Sequence, residues 1–515
     1  MRHNPVLLPP RPFPMHHRPL TVTCLAVLGA TAALRAQCTA SWTPTAFAGG
    51  ADGSVCAVAA EDGRQFAIAG RFATVGGVAA NRVARWNGSA WQALGSGLNG
   101  DALALVRMPN GDLVVGGSFT QAGGAPANSI ARWNGAAWSS LGNGIDQPLP
   151  FGGNVQALAV LPNGDLIAAG GFPGASGVAA SNIARWNGAT WSPLGTGCNS
   201  PVRCLAVAPN GDLFATGSFT LAGGVACAGI ARWSGTAWSA LGSGLGLFGG
   251  QALAALPNGD IVVGGSFLTA GGGAANRVAR WNGSVWTALG SGLGGVVTAL
   301  AAHPNGELLV GGAFATAGGV TANNLARWNG ATWQPFGAGC DASVLVVGVL
   351  GDGALAVGGD FAQAGGLPAG RLAQLTSSCA PTLLATGNGC AGAAGVPTLT
   401  VVQFPLLGGA YRSRCSNLPP IGLALSVLGL SATALPLALA LPQAGAGCTV
   451  FASPDVLDAL VPTAGAANYA LSLPTTPALV GAALHQQFVP LEFDLGFNLI
   501  GASASNAVRT TIGTF

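Results

Sequence analysis

Short apolar runs, each broken by a polar or glycine-containing turn, recur along the first three quarters of the chain. The clearest copy begins at Val155. Val155 to Leu161 is apolar, Asn163-Gly164 interrupts it, and Asp165 to Phe172 is apolar again, with Gly170-Gly171 near its end. A Gly/Ala-rich stretch follows, then Asn182-Ile-Ala-Arg-Trp186, a second Asn-Gly at Asn187-Gly188, and a run through Trp191 to Gly195. Apolar runs this short, bounded by turn signals, predict strands rather than helices. Asn-Gly between two such runs predicts a tight hairpin whose two central residues take positive φ. One copy therefore predicts four antiparallel strands.

The copy repeats. All thirteen tryptophans precede residue 334, and twelve form the doublets Trp86/Trp91, Trp133/Trp138, Trp186/Trp191, Trp233/Trp238, Trp281/Trp286 and Trp328/Trp333, spaced 47, 53, 47, 48 and 47 residues apart. This is the period of a four-stranded propeller blade. The first hairpin turn can be counted separately and occurs seven times, at Asp62-Gly63, Asn110-Gly111, Asn163-Gly164, Asn210-Gly211, Asn258-Gly259, Asn305-Gly306 and Asp352-Gly353. One more turn than doublets means that one copy is split. A period beyond Trp328 falls on Leu375, where a third strand is present and no fourth follows; Trp42, 49 residues before Trp91, sits in a fourth-strand segment without the first three. Together the fragments complete one sheet. The expectation is an all-β fold: a seven-bladed β-propeller closed by its N-terminal strand, so that no sheet edge is exposed at the junction. Closure brings Cys38 and Cys379 into the same turn, 341 residues apart in sequence, and a disulfide between them would pin the ring. Cys379 with Cys390 is the rival pairing.

Side chains alternate along a strand, so both tryptophans of a doublet share one face. They serve either as packing between neighbouring blades or as a platform for sugars; a need that recurs in nearly every blade favours packing, for Trp42 as for the twelve in doublets. The preceding Arg85, Arg132, Arg185, Arg232, Arg280 and Arg327 point to the other face, and acids recur in the first hairpin at Asp112, Asp165, Asp212, Asp260 and Glu307. Repeated ion pairs are expected, with a ring of arginines attracting anions as the alternative. Gln374 takes the Arg position in the last copy, leaving any such ring incomplete. The Gly-Gly and following aromatic, as in Gly116-Gly117-Ser118-Phe119, allow close backbone approach while Phe fills the core between blades.

The Gly-Gly ending of the second strand and the Trp-bearing third and fourth strands resemble kelch-type propellers. The string Ala-Arg-Trp-Asn-Gly-x-x-Trp-x-x-Leu-Gly is more similar to repeats of large secreted bacterial proteins and of fungal cortical polarity-marker proteins. The resemblance covers residues 37–379 and implies a fold more than an activity. Kelch-type galactose oxidases use a copper site of Tyr, His and Cys, but Tyr411 and Tyr469 both lie outside the propeller, so that activity is not implied. From Cys379 onward the period stops, and residues 380–515 look like the β-sandwich tails of similar secreted proteins, with Ser505-Asn506 and Ile512-Gly513 matching their ending. Cys415–Cys448 is a plausible bridge there. The uncharged run Ile421 to Leu441 contains Gly422, Gly429 and Pro436 and alternates large with small residues, which predicts strands rather than a membrane helix.

Composition fits this picture. Gly is 83 of 515 residues and charged residues are 7%, yet half the chain is hydrophobic, unlike a charged disordered polymer. All basic side chains are Arg. Four of the 20 lie in the first 36 residues, so the remainder carries 16 Arg against 17 acids, a balance of −1 that gives no footing for nucleic-acid binding. Residues 1–36 have the layout of a secretory signal peptide, with Arg2, Arg11 and Arg18 before the apolar run Leu20 to Leu34 and small residues at Ala33 and Ala36. Cleavage after Ala36 leaves ten cysteines, an even number that suits an oxidising compartment, and no transmembrane segment. Secretion or cell-envelope location is the expectation.

Catalytic chemistry is scarce. Past the leader only His303 and His485 remain, no CxxC or Cys/His cluster suggests a metal, and no nucleophile, base and orienter stand together. No cofactor or catalytic residue is assigned. The sequence reads as a non-enzymatic binding or structural module that presents a propeller face to a protein or glycan; the alternative is a carbohydrate-active hydrolase or lyase built from propeller loops. Two irregular places, the connection Asn143 to Asn154 and the copy with Cys198, Cys204 and Cys227, are where a ligand would be sought.

Overall fold

The structure is a computed structural model that describes residues 40–513, apart from 44–46, 48, 147–152, 247, 378–382, 393, 407, 420–421, 445–447, 464, 475–478 and 495–497. The signal peptide expected at 1–36, Cys38 and Cys379 lie outside the described residues, as does the middle of the Asn143 to Asn154 connection.

The fold is a β-propeller followed by further β-sheets. Among the described residues seven four-stranded antiparallel sheets succeed one another. The fourth sheet is typical, with strands Val202–Val207, Leu213–Gly217, Ile230–Trp233 and Trp238–Ala240 in that order. The seventh is assembled from both ends of the array. Val344–Val349, Leu355–Gly359 and Leu372–Ser377 supply three strands, and Ala40–Thr43 pairs antiparallel with Leu372–Ser377, with Trp42 opposite Leu375 as expected. First strands pack on first strands from sheet to sheet, and that of the seventh packs on Val55–Ala60 of the first, closing a ring.

The core lies between successive sheets. One cluster, for example, joins Ala67 and Val83 of the first sheet to Leu113, Val115 and Phe119 of the second. Packing there is tight enough to fix glycine. A Cβ on Gly264 would come within 2.3 Å of Val297 Cγ1 in the next sheet, and one on Gly311 within 2.5 Å of Val344 Cγ1. Where Thr216 takes this glycine's place, the facing valine is replaced by Gly250, whose own Cβ would lie 2.2 Å from Thr216 Oγ1. The space is kept while its owner changes.

The turns differ from expectation. In the second sheet Gly111 N–H donates to Met108 O at 2.9 Å and Met108 N–H to Asp112 O at 2.7 Å, with only Gly111 at positive φ, +92°. Pro109 and Asn110 are thus the central residues of a type I turn closed by a left-handed glycine. Proline before the asparagine presets this geometry in the second to sixth sheets, but it is not required: the seventh sheet makes the same turn at Gly351-Asp352, where Gly353 N–H donates to Leu350 O at 2.9 Å. At the second turn Trp86 pairs directly with Trp91 across a four-residue loop.

In the C-terminal region, sheets of six and three strands share one core containing Tyr411, Cys415, Tyr469 and Phe488. The uncharged run forms strands Gly422–Gly429 and Ala432–Pro436. No helix among the described residues is long and apolar enough to cross a membrane. The expected Cys415–Cys448 bridge is corrected: Cys448 is bonded to Cys390, which also removes the rival Cys379–Cys390 pairing. Cys415 is a buried thiol, because its strand Ala410–Ser416 turns it into the core between the sheets, whereas Cys390 and Cys448 belong to a separate cluster.

Candidate functional site

The recurring side chains make internal contacts. In each sheet the fourth-strand tryptophan donates its indole N–H to a carbonyl of the sheet before it. Trp91 reaches Phe47 O, Trp138 Leu94 O, Trp191 Leu141 O, Trp238 Leu194 O, Trp286 Leu241 O and Trp333 Leu289 O, all at 2.7–2.9 Å. Trp42 makes the seventh such bond, to Phe336 O at 3.0 Å. The doublet partners lie 5.2–5.4 Å apart between ring centroids, which covers part of each indole face.

The arginines are neutralised one by one. Arg132 pairs with Asp112, Arg185 with Asp165, Arg232 with Asp212, Arg280 with Asp260 and Arg327 with Glu307, at 2.5–3.3 Å. Turn asparagines brace the acids: Asn210 Nδ2 donates to Asp212 Oδ2 at 2.6 Å. In the first sheet Gln65 stands where the acid would be, and Glu61 takes over at 2.6 Å from Arg85. In the seventh, where Gln374 replaces the arginine, Asp352 is paired by Arg64 from the first sheet at 2.6 Å. A free cationic ring therefore does not exist at these positions.

The histidines and thiols are core groups. His303 is fully buried; its Nδ1 accepts from Asn305 N–H at 3.3 Å and its Nε2 lies 3.1 Å from Gly353 O in the next sheet. Burial holds its pKa below the ordinary histidine range. Burial also lowers His485, with Arg509 adding to the effect. In the fourth copy, Cys198 and Cys227 share the core between the third and fourth sheets. Burial pushes the Cys198 thiol up to about 12 and the Cys204 thiol up to about 11, so both stay protonated and unreactive. Among the described residues no three His, Cys, Asp or Glu side chains converge as a metal site would need.

What remains is the face carrying the connections from one sheet to the next. A recess of about 580 Å³ opens there between the sixth and seventh sheets, lined by Phe314, Asn323, Cys340 and Asp341. Each first strand also carries a β-bulge near this end, in all seven sheets. The bulged residue is skipped by the ladder and stays partly or fully exposed on the innermost strand. Sequence reasoning missed this position. Its signal was present: from the second sheet on, it falls seven residues before the turn Asn or Asp, and in the third to sixth sheets it is a polar residue inside an apolar run, as in Val155-Gln156-Ala157.

Comparison with family models agrees with a β-propeller. A family model described as a domain of unknown function (DUF5122) beta-propeller matches residues 109–134, 256–283 and 303–329, each running from a first turn into a third strand. A model of the WD domain, G-beta repeat, matches residues 191–219. No curated protein matches the chain. Among solved structures the chain is similar to the WD40 beta propeller domain of Doa1, at 14% identity over 66% of this chain and 97% of that one, with a TM-score of 0.42. It is similar to YCF48 bound to D1 peptide, at 17% identity over 66% and 95%, with a TM-score of 0.40. The extracellular domain of a putative one component system from B. thetaiotaomicron is similar at 12% identity over 74% and 46%, with a TM-score of 0.41.

Proposed function

We propose that this chain is an extracytoplasmic, non-enzymatic binding module, in which a kelch-like seven-bladed propeller, residues 37–379, presents the face bearing the sheet-to-sheet connections to a protein or glycan partner. One observation carries the reading. Side chains that repeat from sheet to sheet are consumed by internal hydrogen bonds and ion pairs, whereas the bulged residue on the innermost strand changes in nearly every sheet and stays accessible. A scaffold held constant around one variable, solvent-accessible position is built for recognition.

Residues 1–36 act as a signal peptide in this reading and residues 380–515 as a β-sandwich tail. The Cys390–Cys448 bond supports an oxidising compartment. Cys38–Cys379 is proposed as a second disulfide. The ladder pairs Ala40 with Ser377 and Trp42 with Leu375, and two further steps of the same register would set Cys38 opposite Cys379. The functional reading is tested with a glycan array and a panel of extracellular proteins, run beside a polysaccharide-turnover assay. Binding without product is expected; product formation overturns the non-enzymatic reading.

A further inference from the structure

The bulged residues form a ring in the order of the sheets. In the third to sixth sheets they are Gln156, Arg203, Gln251 and Thr298, an unbroken polar arc. In the seventh, first and second they are Leu345, Cys56 and Leu103. Burial pushes the Cys56 thiol to about 11, so it is neutral and this second arc, with a leucine on either side of the thiol, is uncharged. A position free to vary has thus been sorted into two contiguous halves.

Charge is sorted as well. Arg203 is exposed, and among the described residues its side chain makes no hydrogen bond or ion pair. Its neighbours hold their amide nitrogens inward, Gln156 Nε2 to Asn154 Oδ1 at 3.3 Å and Gln251 Nε2 to Ser266 Oγ at 2.9 Å. On the far side Asp360, three sheets away from Arg203 in a ring of seven, accepts from Ser54 Oγ and has no arginine partner among the described residues. Asp101 is already matched by Arg71 at 3.1 Å.

We infer that this mouth binds a peptide segment carrying one carboxylate flanked by apolar side chains, the carboxylate on Arg203 and an apolar group on the Leu345 and Leu103 side. The inference rests on the binding-module reading and names its ligand. Arg203 is the one guanidinium among the seven bulged residues, and it suits one carboxylate. Asp360 opposite it repels a second, which disfavours nucleic acid and polyuronate chains. The tryptophans are engaged in packing between sheets rather than on this ring, and the exposed Phe248, in the connection leading into the fifth sheet, adds an apolar face beside the polar arc that suits the apolar flank of a peptide.

The test is panning of a displayed random heptapeptide library on the full chain, followed by fluorescence anisotropy of the enriched peptides. Enrichment of one Asp or Glu between apolar residues is expected. Arg203→Gln should weaken those peptides at least tenfold, the loss of a charge-assisted hydrogen bond, and replacing the acid by its amide should do the same. Arg414→Gln, on the exposed face of a tail strand, should change nothing, and an unchanged melting temperature excludes misfolding of Arg203→Gln. Enriched peptides without an acid, or affinity indifferent to Arg203→Gln, overturn the site and leave the binding module standing. Arg203-dependent binding of oligogalacturonate in place of peptides overturns the ligand class alone. Retention of neither peptide, protein nor glycan overturns both readings.

Discussion

Replacing Trp42 by alanine tests ring closure where the ends of the propeller meet. A fully buried tryptophan withdraws about 150–250 Å² from water, worth about 4–6 kcal/mol at ~25 cal/mol per Å². Trp42 is only partly buried, so about 3 kcal/mol is the share its packing supplies. Losing the indole N–H bond to Phe336 O adds about 1 kcal/mol. Trp42→Ala should therefore cost about 4 kcal/mol. Trp238→Ala, which removes a 6% exposed indole bonded to Leu194 O inside an unbroken sheet, should cost about as much or slightly more. Trp42→Phe separates the terms by keeping most of the packing and losing the donor. Urea unfolding followed by far-UV circular dichroism measures all three. If strand Ala40–Thr43 closes the ring, Trp42→Ala and Trp238→Ala shift one common transition. Trp42→Ala within about 0.5 kcal/mol of wild type, the range of an ordinary surface change, would refute the reasoning.

Other outcomes follow from the same contacts. Asp212→Asn should cost about 1–3 kcal/mol in denaturant unfolding, because a buried carboxylate braced by Asn210 is lost, whereas Arg232→Gln, whose side chain is 44% exposed, should cost less than about 1 kcal/mol. His303 has a pKa below its unfolded value near 6.5, so the unfolded chain takes up the proton first; the stability this neutral histidine supplies is present above that pH and declines as pH falls through the folded value. The melting temperature of His303→Leu should accordingly fall less than that of wild type between pH 7 and pH 5. Peptide mapping without reductant should recover Cys390 joined to Cys448, Cys38 joined to Cys379, and Cys415 as a free thiol. Cys390→Ser should lower tail stability by about 4 kcal/mol, the loop-closure value for a separation of 58 residues.

The chain's own periodicity determined the strands, their order and the closure. A hairpin side chain meets the same surroundings in every copy, so Trp86/Trp91 and its counterparts mark strands by spacing alone, and the phase mismatch between Trp42 and Leu375 encodes the shared sheet. Tertiary structure decided what depends on neighbours distant in sequence. Arg64 reaches Asp352 and Cys390 reaches Cys448 because separate strands are laid side by side, and no local pattern states which strands those are. The bulges belong to both levels. Gln156 and Arg203 break an apolar run visibly, but only the curvature of seven innermost strands around one axis turns isolated irregularities into a ring.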